Sequence, residues 1–315
     1  MRSPSDLVRL RRLRPSSRRP RRRLLPLCSH MNCITSIVAT TCQPRFTSRQ
    51  ARASRGRCRA AVSSCAQGND PCLLCALVFA PDDVPGNYHL RCFKMLGRRL
   101  VANRKACHLC CDLKNPGDVK GGRFDSEHVG AWSLWQGNLD ASLMVVGQDW
   151  GDTKYFVQHE GREGPRNPTN LALVELIGKA GILIGEPGSE SGRDVAFFTN
   201  AILCLKDAQG GLQGKVKRAW FDNCASFLRR QIEIVHPVVV VGLGEHAYRT
   251  ILRGFAMECG SFRSEVDAAH GRALPNGSRA FAVYHCGARI RNTHRPMEMQ
   301  REDWARFRQF VIPAG

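Results

Sequence analysis

Val195-Ala-Phe-Phe-Thr-Asn-Ala-Ile-Leu-Cys204 is the stretch on which the reading of this chain turns. Val195 to Phe198 is a short apolar run, β-branched and aromatic, entered from the polar Gly192-Arg193-Asp194. That composition predicts a buried strand. The strand is expected to end at Thr199-Asn200, a polar pair at its C-terminal tip, and in open parallel sheets that edge is where ligands bind. Cys204 follows directly, and Cys224 stands within a helix-like stretch further on. Upstream lies Cys107-His-Leu-Cys110. One fold can gather these four thiols, and four thiolates suit a [4Fe–4S] cluster or a structural zinc.

Outward from this stretch, apolar runs alternate with helical patterns. Ser142-Leu-Met-Val-Val-Gly147 is a continuous apolar strand. Pro168-Thr169-Asn170 then opens a helix, with Thr169 expected as its N-cap and Leu171, Leu173, Val174, Leu176 and Ile177 as its apolar face. Gly178 and Gly181 weaken and end it. Lys215 to Val235 reads as a long helix burying Trp220, Phe221, Phe227, Leu228 and Ile232. Pro237-Val-Val-Val-Val-Gly242 and Ala280-Phe-Ala-Val-Tyr-His285 are the third and fourth strands, and Trp304, Phe307 and Phe310 mark a closing helix. Strands alternating with helices imply right-handed crossovers and a parallel sheet covered on both faces.

Such a sheet would bring polar residues from separate strands to one rim. Gln148 and Asp149 follow the first strand, Asn200 ends the second, and His285 ends the fourth. In the turn Gly147-Gln-Asp-Trp-Gly-Asp152, an acid can orient water or stabilise a developing cation; the plainer role is that of a turn-forming Asp. Asn200 offers a donor and an acceptor, enough to pair with an amide edge such as that of a nucleobase. A His285 donor can stabilise an oxyanion on a leaving group. Arg289, Arg291 and Arg295 on the same loop suit phosphates. Gly242-Leu-Gly-Glu-His-Ala247 matches the dinucleotide fingerprint G-x-G-x-x-A. It follows the third strand rather than the first, so glycine for close helix–strand packing is the simpler account.

The chain has 315 residues and a net charge of +20, but the first sixty residues hold sixteen arginines against one acid, Asp6. The remainder is only mildly basic, which permits a polyanionic partner without requiring one. Residues 1–66 read as a disordered Arg-, Ser- and Pro-rich extension. It is a nucleic-acid-binding arm, an organelle-targeting segment, or an extension without a role. Residues 67–104 carry Cys72-Leu-Leu-Cys75 and Cys92, as zinc ligands or as packed free thiols. The α/β domain is expected over 105–315. Fifteen cysteines without a secretory signal point to a reducing compartment and metal-binding thiols, hence a cytoplasmic location. No apolar run is long enough for a membrane span.

Taken together, these residues resemble the uracil-DNA glycosylase superfamily, closest to its iron–sulphur branch, over about Lys105 to Phe310. Cys107-x2-Cys110, Thr199-Asn-Ala-Ile-Leu-Cys204 and Cys224 look like that branch's cluster ligands. Tyr284-His285 resembles its Tyr-His-Pro motif, and Gly147-Gln148-Asp149 is similar to the opening of the superfamily's water-activating motif. The resemblance implies a three-layer α/β/α sandwich with a four-stranded parallel sheet. It also implies a monomeric enzyme that hydrolyses an N-glycosidic bond in DNA containing a damaged base, after flipping the nucleotide out of the stack. Asn200 would read the base edge, with Gly147, Gln148 and Trp150 also contacting the base. His285 would donate to the departing base, and Asp149 would position water and stabilise the sugar cation. Cys107, Cys110, Cys204 and Cys224 would hold the cluster, leaving Arg289, Arg291 and Arg295 for DNA. The sequence departs from the pattern at Trp150-Gly151, where the family has Pro followed by Tyr or Gly. It departs again at Gln148, where the branch has Glu, and at Cys286, where it has Pro. Base stacking is then expected from Trp150 or Phe156, and the acid from Asp149 or Asp152.

Overall fold

A computed structural model describes residues 86–130, 134–164, 166–187, 195–207 and 215–311, with side chains from residue 95 onward. The Arg-rich segment and Cys72 and Cys75 lie outside the described residues, as does the side chain of Cys92.

Helix α1 (Gly86–Lys105) comes first, and Leu100 and Val101 near its end are buried in the core. A 3-10 segment, Pro116–Gly122, leads towards β1 (Leu143–Asp149). The helices α2 (Thr153–Gln158) and α3 (Pro168–Lys179) follow, then β2 (Phe197–Ile202), α4 (Arg218–Val235), β3 (Val239–Leu243) and α5 (Glu245–Gly254). The chain continues with α6 (Phe262–Asp267), β4 (Arg272–Ala273), β5 (Arg279–Val283), α7 (Ala288–Thr293), α8 (Met297–Ala305) and α9 (Arg308–Val311). The sheet order is β2-β1-β3-β5-β4. The first four strands in that order are mutually parallel, as expected, and β4 adds a two-residue antiparallel edge beside β5.

Side chains alternate across the sheet, and this assigns them to two layers. Met144, Val146, Phe197, Val240 and Ala280 pack with Trp220, Phe221, Leu228 and Ile232 of α4 and Tyr248 and Ile251 of α5. Leu143, Val145, Phe198, Val239, Val241 and Phe281 pack on the other face with Leu173, Leu176 and Ile177 of α3 and with Trp304 and Phe307. Strands covered on both faces need apolar residues at every position, which is why they read as unbroken runs. The result is the α/β/α sandwich.

Two local expectations are corrected. The second strand does not end at Thr199-Asn200: both lie within the ladder, opposite Val146 and Gly147, and the strand runs on to Ile202 opposite Asp149. Backbone pairing with β1 is indifferent to the polarity of the side chain, so the polar pair did not end the strand. The N-cap of α3 is Asn167 rather than Thr169. The Asn167 side chain accepts from the Thr169 N–H at 3.0 Å, with Pro168 at the first helical position, where its fixed φ is already helical.

Gly242 shows why the fingerprint-like glycine is there. A Cβ at this position would lie 2.6 Å from Tyr248 Cα, so only glycine lets α5 sit this close to β3.

Candidate active site at the carboxyl edge of the sheet

Asp149, Asn200 and His285 come from β1, β2 and the segment after β5, and alternation places all three towards the same layer. Leu143 and Val145 share their face with Asp149, Ala196 and Phe198 with Asn200, and Phe281 and Val283 with His285. The convergence is also electrostatic, because the carboxylate of Asp149 acts on the imidazole of His285. The N-terminal turn of α3 borders the same region. The backbone oxygen of Thr169 accepts from Cys286 Sγ at 3.5 Å, and a Cβ on Gly287 would lie 3.8 Å from Thr169 Oγ1.

Asn200 is fully buried, and neither its Nδ2 nor its Oδ1 has a hydrogen-bond partner. Leaving a buried donor and acceptor unmade costs about 1–3 kcal/mol for each group.

Asp149 is held from several directions. Its Oδ2 accepts from Gln148 Nε2 at 2.7 Å and its Oδ1 from the Gly151 N–H at 3.0 Å. Lys206 Nζ lies 3.2 Å from Oδ1, and the two side chains are 6% and 8% exposed. Asp152, the other acid of the turn, serves as the N-cap of α2, its Oδ1 accepting from the Tyr155 N–H at 2.8 Å.

The ring of His285 accepts from the Gly287 N–H through Nδ1, at 3.0 Å. A neutral imidazole with an acceptor at Nδ1 carries its proton on Nε2. Burial lowers the pKa of His285 below its ordinary 6.5, and the Asp149 charge opposes that only partly. The group therefore presents a neutral N–H donor at neutral pH.

Other expected site residues stand elsewhere. Trp150 packs against Phe156 and Leu205 in a separate small cluster, with its ring and that of Phe156 6.1 Å apart. Among the three arginines, Arg289 is exposed and Arg291 has a buried Nε without a partner. Arg295 forms a fork with both oxygens of Asp303, at 2.6 and 3.0 Å.

The four expected metal-binding cysteines lie within electrostatic reach of one another. Burial pushes the Cys204 thiol up to about 12, and Cys224, Cys107 and Cys110 each add repulsion. Burial likewise raises Cys224 to about 11, again with Cys110 and Cys107 adding to it. Asn223 Nδ2 reaches Cys110 Sγ at 3.3 Å, while neighbouring Cys111 is exposed. Among the described residues, no group of three or more His, Cys, Asp or Glu side chains is arranged to hold a metal ion. A donor set of four soft sulphurs still fits a thiolate-bound iron–sulphur centre or zinc.

Sequence reasoning missed two features. One is Lys206; its only local signal is a lone cation just after the apolar Ala201-Ile-Leu-Cys-Leu205 run. The other is Glu163, a half-buried carboxylate between α2 and α3. Its Oε2 accepts from Asn170 Nδ2 at 2.8 Å and from the Tyr155 hydroxyl at 3.3 Å, and burial raises its pKa.

The profile of the Uracil DNA glycosylase superfamily matches residues 134–308. A type-5 uracil-DNA glycosylase of Pyrobaculum aerophilum is 30% identical over 170 residues, covering 49% of this chain and 68% of that protein. A type-4 uracil-DNA glycosylase of Thermotoga maritima is 26% identical over 189 residues, covering 57% of this chain and 83% of that protein.

Proposed function

The chain belongs to the uracil DNA glycosylase superfamily, and from that premise we propose that it hydrolyses the N-glycosidic bond of uracil or a related deaminated base in DNA. The observation that carries this reading is the buried, unpartnered amide of Asn200 on the same sheet face as Asp149 and His285. A base edge carrying one carbonyl and one N–H satisfies both halves of that amide at once.

The chemistry follows from the three side chains. The nucleotide leaves the stack, at a cost of a few kcal/mol, and its base edge pairs with Asn200. As the glycosidic bond breaks, charge grows on the base, and His285 Nε2–H donates to the oxygen that receives it. A neutral donor suits a base that leaves as an anion, since the proton is shared rather than delivered. The ionised carboxylate of Asp149 stabilises the cationic sugar and accepts a hydrogen from the attacking water. Arg289 is exposed and available to phosphates.

Cys107, Cys110, Cys204 and Cys224 would hold a [4Fe–4S] cluster, whose part is structural. The alternative occupant of the same four sulphurs is zinc.

The test uses the purified full-length chain. Absorbance near 400 nm, at about the position expected of a thiolate-ligated cluster, is recorded together with iron and zinc content. The protein is then incubated with single- and double-stranded DNA carrying uracil. Alkali-labile cleavage at the uracil that slows steeply in Asp149→Asn supports the proposal. A brown protein that binds this DNA without releasing base would reduce it to a binding protein on the glycosylase fold. Zinc without iron would remove the cluster assignment alone.

A further inference from the structure

Lys206 is a cation in a place that ordinarily excludes one. Its side chain is 6% exposed, and its Nζ lies 3.2 Å from Asp149 Oδ1 and 3.4 Å from Oδ2. Its backbone is fixed independently of that contact. The Lys206 N–H donates to the Gly151 oxygen and its own oxygen accepts from the Thr153 N–H, both at 3.0 Å, forming a parallel bridge to Asp152. Leu205, one residue earlier, exchanges two backbone hydrogen bonds with Lys114, each 2.8 Å long. The segment therefore grips the turn that carries the acid and places the ammonium against the carboxylate.

We infer that Lys206 is a positioning residue for glycosidic cleavage, holding the Asp149 carboxylate in one orientation. The inference rests on the functional reading above. Enclosing a carboxylate costs it hydration that a cation or several donors must replace. Gln148 and the Gly151 N–H supply two neutral donors. Lys206 supplies the charge. His285, which is also in electrostatic contact with Asp149, is neutral when it works. With the ammonium in reach of both oxygens, the Asp149 side chain is tied at once to its own turn and to the segment that follows β2.

A buried ion pair that only supported the fold would sit in the same geometry, so the experiment separates the two roles. Single-turnover base release and DNA affinity are measured for the full-length chain and for Lys206→Met, Lys206→Gln and Lys206→Arg, each also in an Asp149→Asn background. Melting curves and the absorbance near 400 nm monitor fold and cluster. Lys206→Met and Lys206→Gln are expected to slow base release by about 100-fold, the scale of losing one well-placed acid–base group. Affinity for uracil-containing DNA is expected to stay within about twofold, because charge next to the acid does not read the base. Lys206→Arg is expected to recover most of the rate. In the Asp149→Asn background, the Lys206 substitutions are expected to cost nothing further, since coupled residues are non-additive. Should Lys206→Met fail to fold, the Gln and Arg variants carry the comparison. A Lys206→Gln chain as fast as the wild type overturns the inference, as does an undiminished loss in the Asp149→Asn background. A wild-type chain that releases no base overturns the functional reading, and this inference with it.

Discussion

The backbone N–H of Gly287 donates to Nδ1 of His285 at 3.0 Å, so the loop that follows β5 sets the tautomer of the ring it carries. The donor at Nε2 is consequently fixed without help from a second side chain. His285→Ala is expected to slow base release by about 10²- to 10³-fold, the loss seen when one preorganised donor to a developing anion is removed. Binding of uracil-containing DNA should change much less. Single-turnover kinetics set against equilibrium binding separates the two. Equal losses in rate and affinity would assign the imidazole to substrate binding instead.

The same ring makes stability depend on pH. Its folded pKa lies below its ordinary 6.5, so the unfolded chain takes up this proton first as pH falls. Its contribution to stability is complete above 6.5 and is lost as pH falls towards the folded value. Denaturant melts of the wild type should weaken over that window more than those of His285→Gln. Parallel pH dependence in the two chains would refute the assignment.

Glu163 titrates with the opposite sign. Burial raises its pKa above the ordinary 4.5, so here the folded chain binds the proton more tightly. Stability from this group is complete below 4.5 and is lost as pH rises through the folded value. Glu163→Gln keeps an oxygen for Asn170 and Tyr155 to donate to, but never ionises. The melting temperature of this variant, relative to wild type, is expected to rise with pH above 4.5. A constant difference across that range would show that Glu163 does not titrate as its burial requires.

Asn200 sets stability against function. Its amide is buried with both polar atoms unmade, so an apolar side chain of similar size removes that penalty. Asn200→Leu is expected to stabilise the DNA-free chain by about 1 kcal/mol and to abolish base release. Thermal melting and the cleavage assay measure the two effects on one preparation. A destabilised Asn200→Leu chain would mean that the amide is satisfied within the fold.

Gly242 tests the nucleotide-like fingerprint. A Cβ there meets the backbone of Tyr248 at 2.6 Å, and backbone cannot move aside as a flexible side chain can. Gly242→Ala is therefore expected to cost about 1–3 kcal/mol, the range for overpacking a well-filled core. Denaturant titration reads this loss, and an excess of NAD or ATP should not restore it.

Much of this was open to reading along the chain. Leu143 to Val146, Val239 to Val241 and Ala280 to Val283 are apolar at every position because both sheet faces are covered, and that pattern is local. The parallel order of these strands, with Asp149, Asn200 and His285 towards one edge, followed from alternating strands and helices. What the chain could not show is where polar residues find each other. Asn200 lies inside a strand because β1 continues opposite it as far as Asp149. Lys206 meets Asp149 across 57 positions, and Arg295 turns to Asp303 rather than outward. Apolar burial is non-directional and leaves a periodic trace in sequence. Hydrogen bonds and ion pairs depend on distances of a few tenths of an ångström and on angle, so which donor faces which acceptor is decided only once the sheet has assembled.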